Sequence, residues 1–143
     1  MEVIMAKTAG FCFGVKRAVD TVYQEARKEH VYTYGPIIHN EHVVSDLEKK
    51  GVKVLHSREE LEQLQEGTII IRSHGVPKEI YDLIEEKGLS LVDATCPFVR
   101  KIHRIVEKAG EAGKQIIITG SEEHPEVEGI RGWCSGKVTI ISD

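Results

Sequence analysis

The chain has 143 residues, 41% hydrophobic and 29% charged, with a net charge of −4. That length and composition suit a globular domain with a real core and exclude an intrinsically disordered chain. The mild, mixed charge supplies no general nucleic-acid or membrane surface, and no apolar run reaches the roughly 20 residues that span a bilayer.

Read in chain order, strand-like and helical patterns alternate almost throughout. Residues 1–6 are too short for the apolar region of a signal peptide, and Lys7 interrupts them, so a cytoplasmic location is expected. Strands are predicted over residues 2–6, 31–34, 52–55, 68–73, 90–93, 115–119 and 138–141. Helices are predicted between them, over 15–29, 41–50, 58–64, 78–87, 98–112 and 125–129. Gly51, Gly67, Gly88 and Gly113 follow helical stretches, where a residue tolerating positive φ is wanted. The apolar runs Thr68-Ile69-Ile70-Ile71 and Ile116-Ile117-Ile118 read as central strands buried on both faces. The expected fold class is α/β, built from repeated and mostly parallel modules.

Two of the three cysteines share a local pattern. Gly10-Phe11-Cys12-Phe13-Gly14-Val15-Lys16-Arg17 parallels Ala94-Thr95-Cys96-Pro97-Phe98-Val99-Arg100-Lys101. Each cysteine ends a strand-like run and opens a basic, amphipathic helix. Three segments follow from this repeat: residues 1–12 as a strand leading to the first cysteine, 13–96 as one α/β module, and 97–143 as an incomplete second module. Half a module leaves apolar sheet surface uncovered, so either another element covers it or the chain is a fragment.

In a reducing compartment, three cysteines point to metal or catalytic thiols rather than disulfides; the alternative for each is a small buried hydrophobe. Ligands of parallel α/β sheets bind where strands end and helices begin. A helix N-terminus favours a thiolate there through its free N–H groups and dipole. Cys12 and Cys96 are therefore candidate metal ligands.

His39, His74 and His124 occupy similar strand-end positions. Any one of them alone also fits a structural loop histidine, but three at one sheet edge suit a phosphate or diphosphate. His30, His42, His56 and His103 are read as surface or packing residues. Glu126, two residues after His124, is a candidate proton donor, with a helix-capping acid as the alternative. Glu122 and Glu128 read as solvated acids. Several motifs fail. Gly113-Lys114 lacks the rest of a P-loop, His124-Pro125-Glu126 lacks the P-C-x-x-C of zinc deaminases, and C-x-x-C is absent.

Taken together, Gly10-Phe11-Cys12-Phe13-Gly14-Val15, Ile38-His39-Asn40, Ser73-His74-Gly75-Val76, Asp93-Ala94-Thr95-Cys96-Pro97 and His124-Pro125-Glu126-Val127-Glu128-Gly129 resemble the LytB family, the 4-hydroxy-3-methylbut-2-enyl diphosphate reductases. The resemblance runs through the whole chain in order. It implies three α/β units around a [4Fe–4S] cluster held by three cysteines, with one iron left open to the substrate's hydroxyl oxygen. Cys12 and Cys96 match two of those ligands. His39, His74 and His124 match the diphosphate-binding histidines, His124 also serving the proton network, and Glu126 matches the proton-supplying acid. The implied reaction is reductive dehydroxylation to isopentenyl and dimethylallyl diphosphate, the last step of the non-mevalonate isoprenoid pathway. A ferredoxin or flavodoxin would donate the electrons. The family's third cysteine falls beyond residue 143, and Cys134 does not match it. The chain thus reads as the N-terminal half of the enzyme, inactive alone. Without the resemblance, a Cys/His zinc hydrolase or deaminase and a metal-free phosphate-binding module remain open.

Overall fold

The computed structural model describes residues 2–142. Between Cys12 and Cys96 it contains α1 (Phe13–Glu25), β1 (Val31–Tyr34), α2 (Glu41–Lys49), β2 (Lys53–Leu55), α3 (Arg58–Gln63), β3 (Thr68–Ile71), α4 (Lys78–Glu86) and β4 (Ser90–Asp93). After Cys96 come α5 (Pro97–Glu111), β5 (Ile116–Thr119), α6 (Pro125–Gly132) and β6 (Val138–Ile141). Every strand pairing is parallel.

The first four strands form one sheet in the order β2-β1-β3-β4. Its two faces are covered by different helices. Ala18, Val19 and Val22 of α1 and Leu47 of α2 pack on one side against Val31 and Ile70. Leu61 of α3 and Ile80, Leu83 and Ile84 of α4 pack on the other against Ile69 and Ile71. The β3 isoleucines are fully buried, as a central strand between two helical layers requires. Each buried isoleucine of this kind contributes roughly 1.5–3 kcal/mol of apolar burial.

The order of the strands has a functional consequence. From β1 the chain winds outward to β2, then crosses back over β1 to β3 and winds the other way to β4. The direction reverses between β1 and β3. In such sheets the crevice beyond the carboxyl ends of the strands at this reversal is where ligands bind.

The sequence expectations for two strands fail. Residues 2–6 form no strand, and Val3, Ile4 and Met5 are 83%, 82% and 81% exposed. A strand exists only through a hydrogen-bonded neighbour, and among the described residues this apolar segment has none; residue 1 of the predicted 1–12 segment lies outside the described residues. The other failure is β5. It pairs only with β6, alternates half-buried and exposed residues, and leaves Ile117 62% exposed. A two-stranded sheet with helices α5 and α6 nearby covers one face, not both. In addition, α1 ends at Glu25 rather than 29, in a turn that carries His30 at φ 54°.

Candidate functional site

The three strand-end histidines come together at the reversal point. His39 follows β1 and directly precedes Asn40, which caps α2 by accepting from the Val43 N–H at 3.1 Å. His74 follows β3. Their ring centroids are 4.7 Å apart. His124 arrives from the second sheet, where it follows β5 and caps α6; its ring meets His74 edge-on at 6.5 Å.

A ladder of backbone hydrogen bonds continues past the ends of the strands. Ser73 N–H donates to Ile37 O at 3.2 Å, and Cys96 N–H donates to Ser73 O at 2.9 Å. The loop bearing His39, the residue before His74 and the second cysteine are thereby fixed side by side. The sequence put these residues at similar stations; the ladder shows that the stations are adjacent.

Each member of the cluster has its own electrostatic setting. Burial is the main reason the His74 imidazole is pushed down to about 4; His39, Arg72 and His124 add to the effect by disfavouring a further positive charge. His74 is therefore neutral at pH 7 and presents one N–H donor and one acceptor. The His124 Nδ1 accepts from the Glu126 N–H at 3.2 Å, which leaves the proton of the neutral ring on Nε2. Glu126 is half-buried in the first turn of α6, directly beside this cap.

Cys12 and Cys96 are the N-cap residues of α1 and α5, and neither makes a side-chain capping hydrogen bond. Their thiols are free, and each stands before the unpaired N–H groups of a helix start, a setting that stabilises negative charge. The two stations touch. A Cβ added at Gly14, in the first turn of α1, would lie 2.5 Å from Cys96 Sγ, so only glycine lets the helix seat there. Arg17, one turn further on, donates to Thr95 O at 3.0 Å and to Asp93 O at 3.2 Å, clamping α1 to the end of β4. Tyr81 Oη meets Thr95 Oγ1 at 3.2 Å from below. Phe11, Phe13 and Phe98 are 49%, 66% and 72% exposed around the cysteines, an apolar collar without a partner among the described residues.

Two free thiols at two converging helix starts, ringed by aromatics, fit two corners of an anionic thiolate-bound cluster. Among the described residues no third His, Cys, Asp or Glu joins them to complete a metal-binding group. Cys134 follows the far end of α6, separated from its His124 start by roughly 12 Å of helix, and its Sγ accepts from Gly136 N–H at 3.3 Å.

Sequence reasoning missed two residues of this site. Arg17 and Arg72 carried no signal beyond being basic. His103 was assigned to surface or packing, and it is packing: only 1% exposed, stacked on Trp133 at 5.3 Å, beneath Gly75 and Gly129. His30, His42 and His56 are exposed. Glu122 pairs with Arg131 at the surface, while Glu128 faces Arg72.

Both His103 nitrogens are buried without a hydrogen-bond partner, and burial pushes the ring down to about 4, with Asp93 weakly opposing. Between pH 6.5, the ordinary histidine value, and about 4, the unfolded chain binds a proton here that the folded chain refuses. Stability therefore falls as pH falls through this window, by about 1.4 kcal/mol per pH unit for one such group. Denaturant unfolding at several pH values should show that slope reduced by one proton in His103→Gln. An unchanged slope would refute the assignment.

Residues 3–143 match the family described as LytB protein. The 4-hydroxy-3-methylbut-2-enyl diphosphate reductase of Caldanaerobacter subterraneus subsp. tengcongensis is 50% identical over 146 residues, an alignment covering 99% of this chain and 50% of that protein. The enzyme of the same name from Geobacter metallireducens is 49% identical, over 99% of this chain and 49% of the relative. Among solved structures, an (E)-4-hydroxy-3-methyl-but-2-enyl diphosphate reductase superposes with a TM-score of 0.82 at 39% identity, over 99% of this chain and 51% of the other. The reductase from Plasmodium falciparum superposes with a TM-score of 0.86 at 31% identity, over 94% and 42%. The chain spans about half the length of the curated relatives it matches.

Proposed function

The chain belongs to the LytB family, and we propose on that footing that it forms the cysteine- and histidine-bearing part of a 4-hydroxy-3-methylbut-2-enyl diphosphate reductase of the non-mevalonate isoprenoid pathway. The observation that carries the reading is the meeting of His39, His74 and His124 at the sheet's reversal point, one backbone hydrogen bond from Cys96.

Cys12 and Cys96 would hold two irons of a [4Fe–4S] cluster, with the third thiolate supplied from elsewhere in the whole protein. When bound, the cluster supplies single electrons and a Lewis-acidic iron. The side chains of this chain do the rest. His39, His74 and His124 bind the diphosphate oxygens through ring N–H groups, holding the allylic end toward the cysteines. Neutral His74 adds a donor without a charge to desolvate. Glu126, beside the His124 cap, donates a proton to the departing hydroxyl, which leaves as water. Two electrons and two protons are consumed for each substrate, and isopentenyl and dimethylallyl diphosphate are the products. A ferredoxin or flavodoxin delivers the electrons in the cytoplasm; among the described residues no helix is long and apolar enough to cross a membrane.

The test is anaerobic purification of the whole protein with iron, sulfide and turnover measured together. Iron with matching acid-labile sulfide and formation of both products is expected. Stoichiometric zinc without sulfide, or phosphate binding by metal-free protein with no reductase turnover, would overturn the reading.

A further inference from the structure

We propose that Arg72 is the positioning residue that holds the His39 and His74 loops together in a diphosphate-binding geometry. The inference rests on the reading of His39, His74 and His124 as a diphosphate site. Arg72 stands at the end of β3, two residues before His74, with its side chain only 13% exposed.

Its guanidinium lies against the loops of His39 and His74 and faces the helix that follows His124. Nε donates to Gly75 O at 3.2 Å, in the turn that carries His74. Nη1 lies against Gly35, the first residue of the loop leading to His39. That glycine has φ +70°, a conformation that disfavours any other residue, and a Cβ there would fall 2.5 Å from Nη1, so the loop lies directly against the guanidinium. Nη2 lies 3.8 Å from the Glu128 carboxylate on α6, the helix that His124 caps and Glu126 opens. A planar guanidinium can donate to the Gly75 turn through Nε while its flat face and Nη1 fill the space beside Gly35; a lysine ammonium on a flexible stem does not.

The charge of Arg72 points the same way. A buried cation is costly unless paired. Here the pairing is thin: one carbonyl, and a carboxylate beyond hydrogen-bond distance whose side chain is 61% exposed. The guanidinium's charge also disfavours charging of the neighbouring His74. An anion bound on the three histidines would balance it. Arg72 thus supplies a fixed positive charge behind the histidine cluster, without touching the ligand itself.

The experiment uses the whole, cluster-loaded protein and reads inorganic diphosphate binding by calorimetry alongside KM and kcat for the allylic diphosphate. Arg72→Lys and Arg72→Gln are each expected to weaken diphosphate binding and raise KM by about tenfold or more, with a smaller change in kcat and unaltered cluster absorbance. Glu128→Gln, which removes only the exposed partner, should change either value by no more than about threefold. Arg72→Lys keeps the charge and the fold, so it decides the matter even if Arg72→Gln folds poorly. Wild-type diphosphate affinity in Arg72→Lys would overturn the positioning role. His74→Ala separates the two levels of the argument. If it binds diphosphate as tightly as wild type, the histidine reading itself fails and the proposal with it; if it weakens binding while Arg72→Lys does not, only the positioning role falls.

Discussion

If Cys96 ligates the proposed cluster, replacing it by serine is expected to leave a folded protein that no longer holds a cluster. Cys96 is the N-cap of α5, with φ −53° and ψ 131°, and its thiol makes no capping bond. Serine is among the best N-cap residues, so the substitution keeps the helix start and adds up to about 1 kcal/mol to it. Gly14 packs against the thiol, and the smaller hydroxyl fits the same space. Stability and ligation therefore move in opposite directions. The unfolding midpoint of the metal-free protein should hold or rise. The broad visible absorbance of the cluster, its iron and its sulfide should be lost, and turnover should fall by more than the roughly 100-fold that outer-shell changes cost. Cys12→Ser should behave alike, because Cys12 is the uncapped N-cap of α1. A Cys96→Ser protein with full iron, sulfide and turnover would remove this residue from the ligand set. Loss of iron together with unfolding would instead make the thiol structural, which its free, half-exposed state argues against.

The second large effect is expected at Glu126. The residue sits in the first turn of α6, and its backbone N–H is already satisfied by His124 Nδ1, so the side chain is not needed to close the helix. Glutamine preserves shape and removes the transferable proton. Losing the first-turn charge costs at most about 1 kcal/mol of helix stability. Losing a general acid costs roughly 100- to 10,000-fold in turnover. Glu126→Gln should thus keep the cluster spectrum and substrate affinity while kcat falls through that range. Unchanged kcat would take Glu126 out of the proton path. A rise in KM with kcat preserved would make it a binding residue instead.

Much of the site was legible because its parts are local. A cysteine before a proline and an amphipathic run marks a helix start from sequence alone, and α5 begins at Pro97 as that pattern requires. His39, His74 and His124 could be assigned to strand ends because β1, β3 and β5 are short apolar runs with clear limits. What stayed hidden depends on partners distant in sequence. Arg17 is one of two adjacent cations on α1, and only the packing of α1 beside β4 turns it toward the Asp93 and Thr95 carbonyls. Arg72 shows no pattern until Gly35, Gly75 and Glu128 surround it. His103 looks like any helical histidine until the Gly75 turn and Trp133 close over it.

The amino-acid sequence by itself determined the alternation of strands and helices after Cys12, the helix starts opened by both cysteines and the strand-end placement of the histidines. Helices close their hydrogen bonds within a few residues, and their caps and stops are written in the adjoining side chains. The tertiary structure alone decided the order β2-β1-β3-β4, and with it the reversal that brings His39 against His74 and the ladder that sets Cys96 beside them. It also decided that residues 2–6 are not a strand and that β5 keeps an open face. The reason is the same in each case: a strand satisfies its backbone only through a neighbour, and which neighbour stands beside it is a property of the whole packed chain.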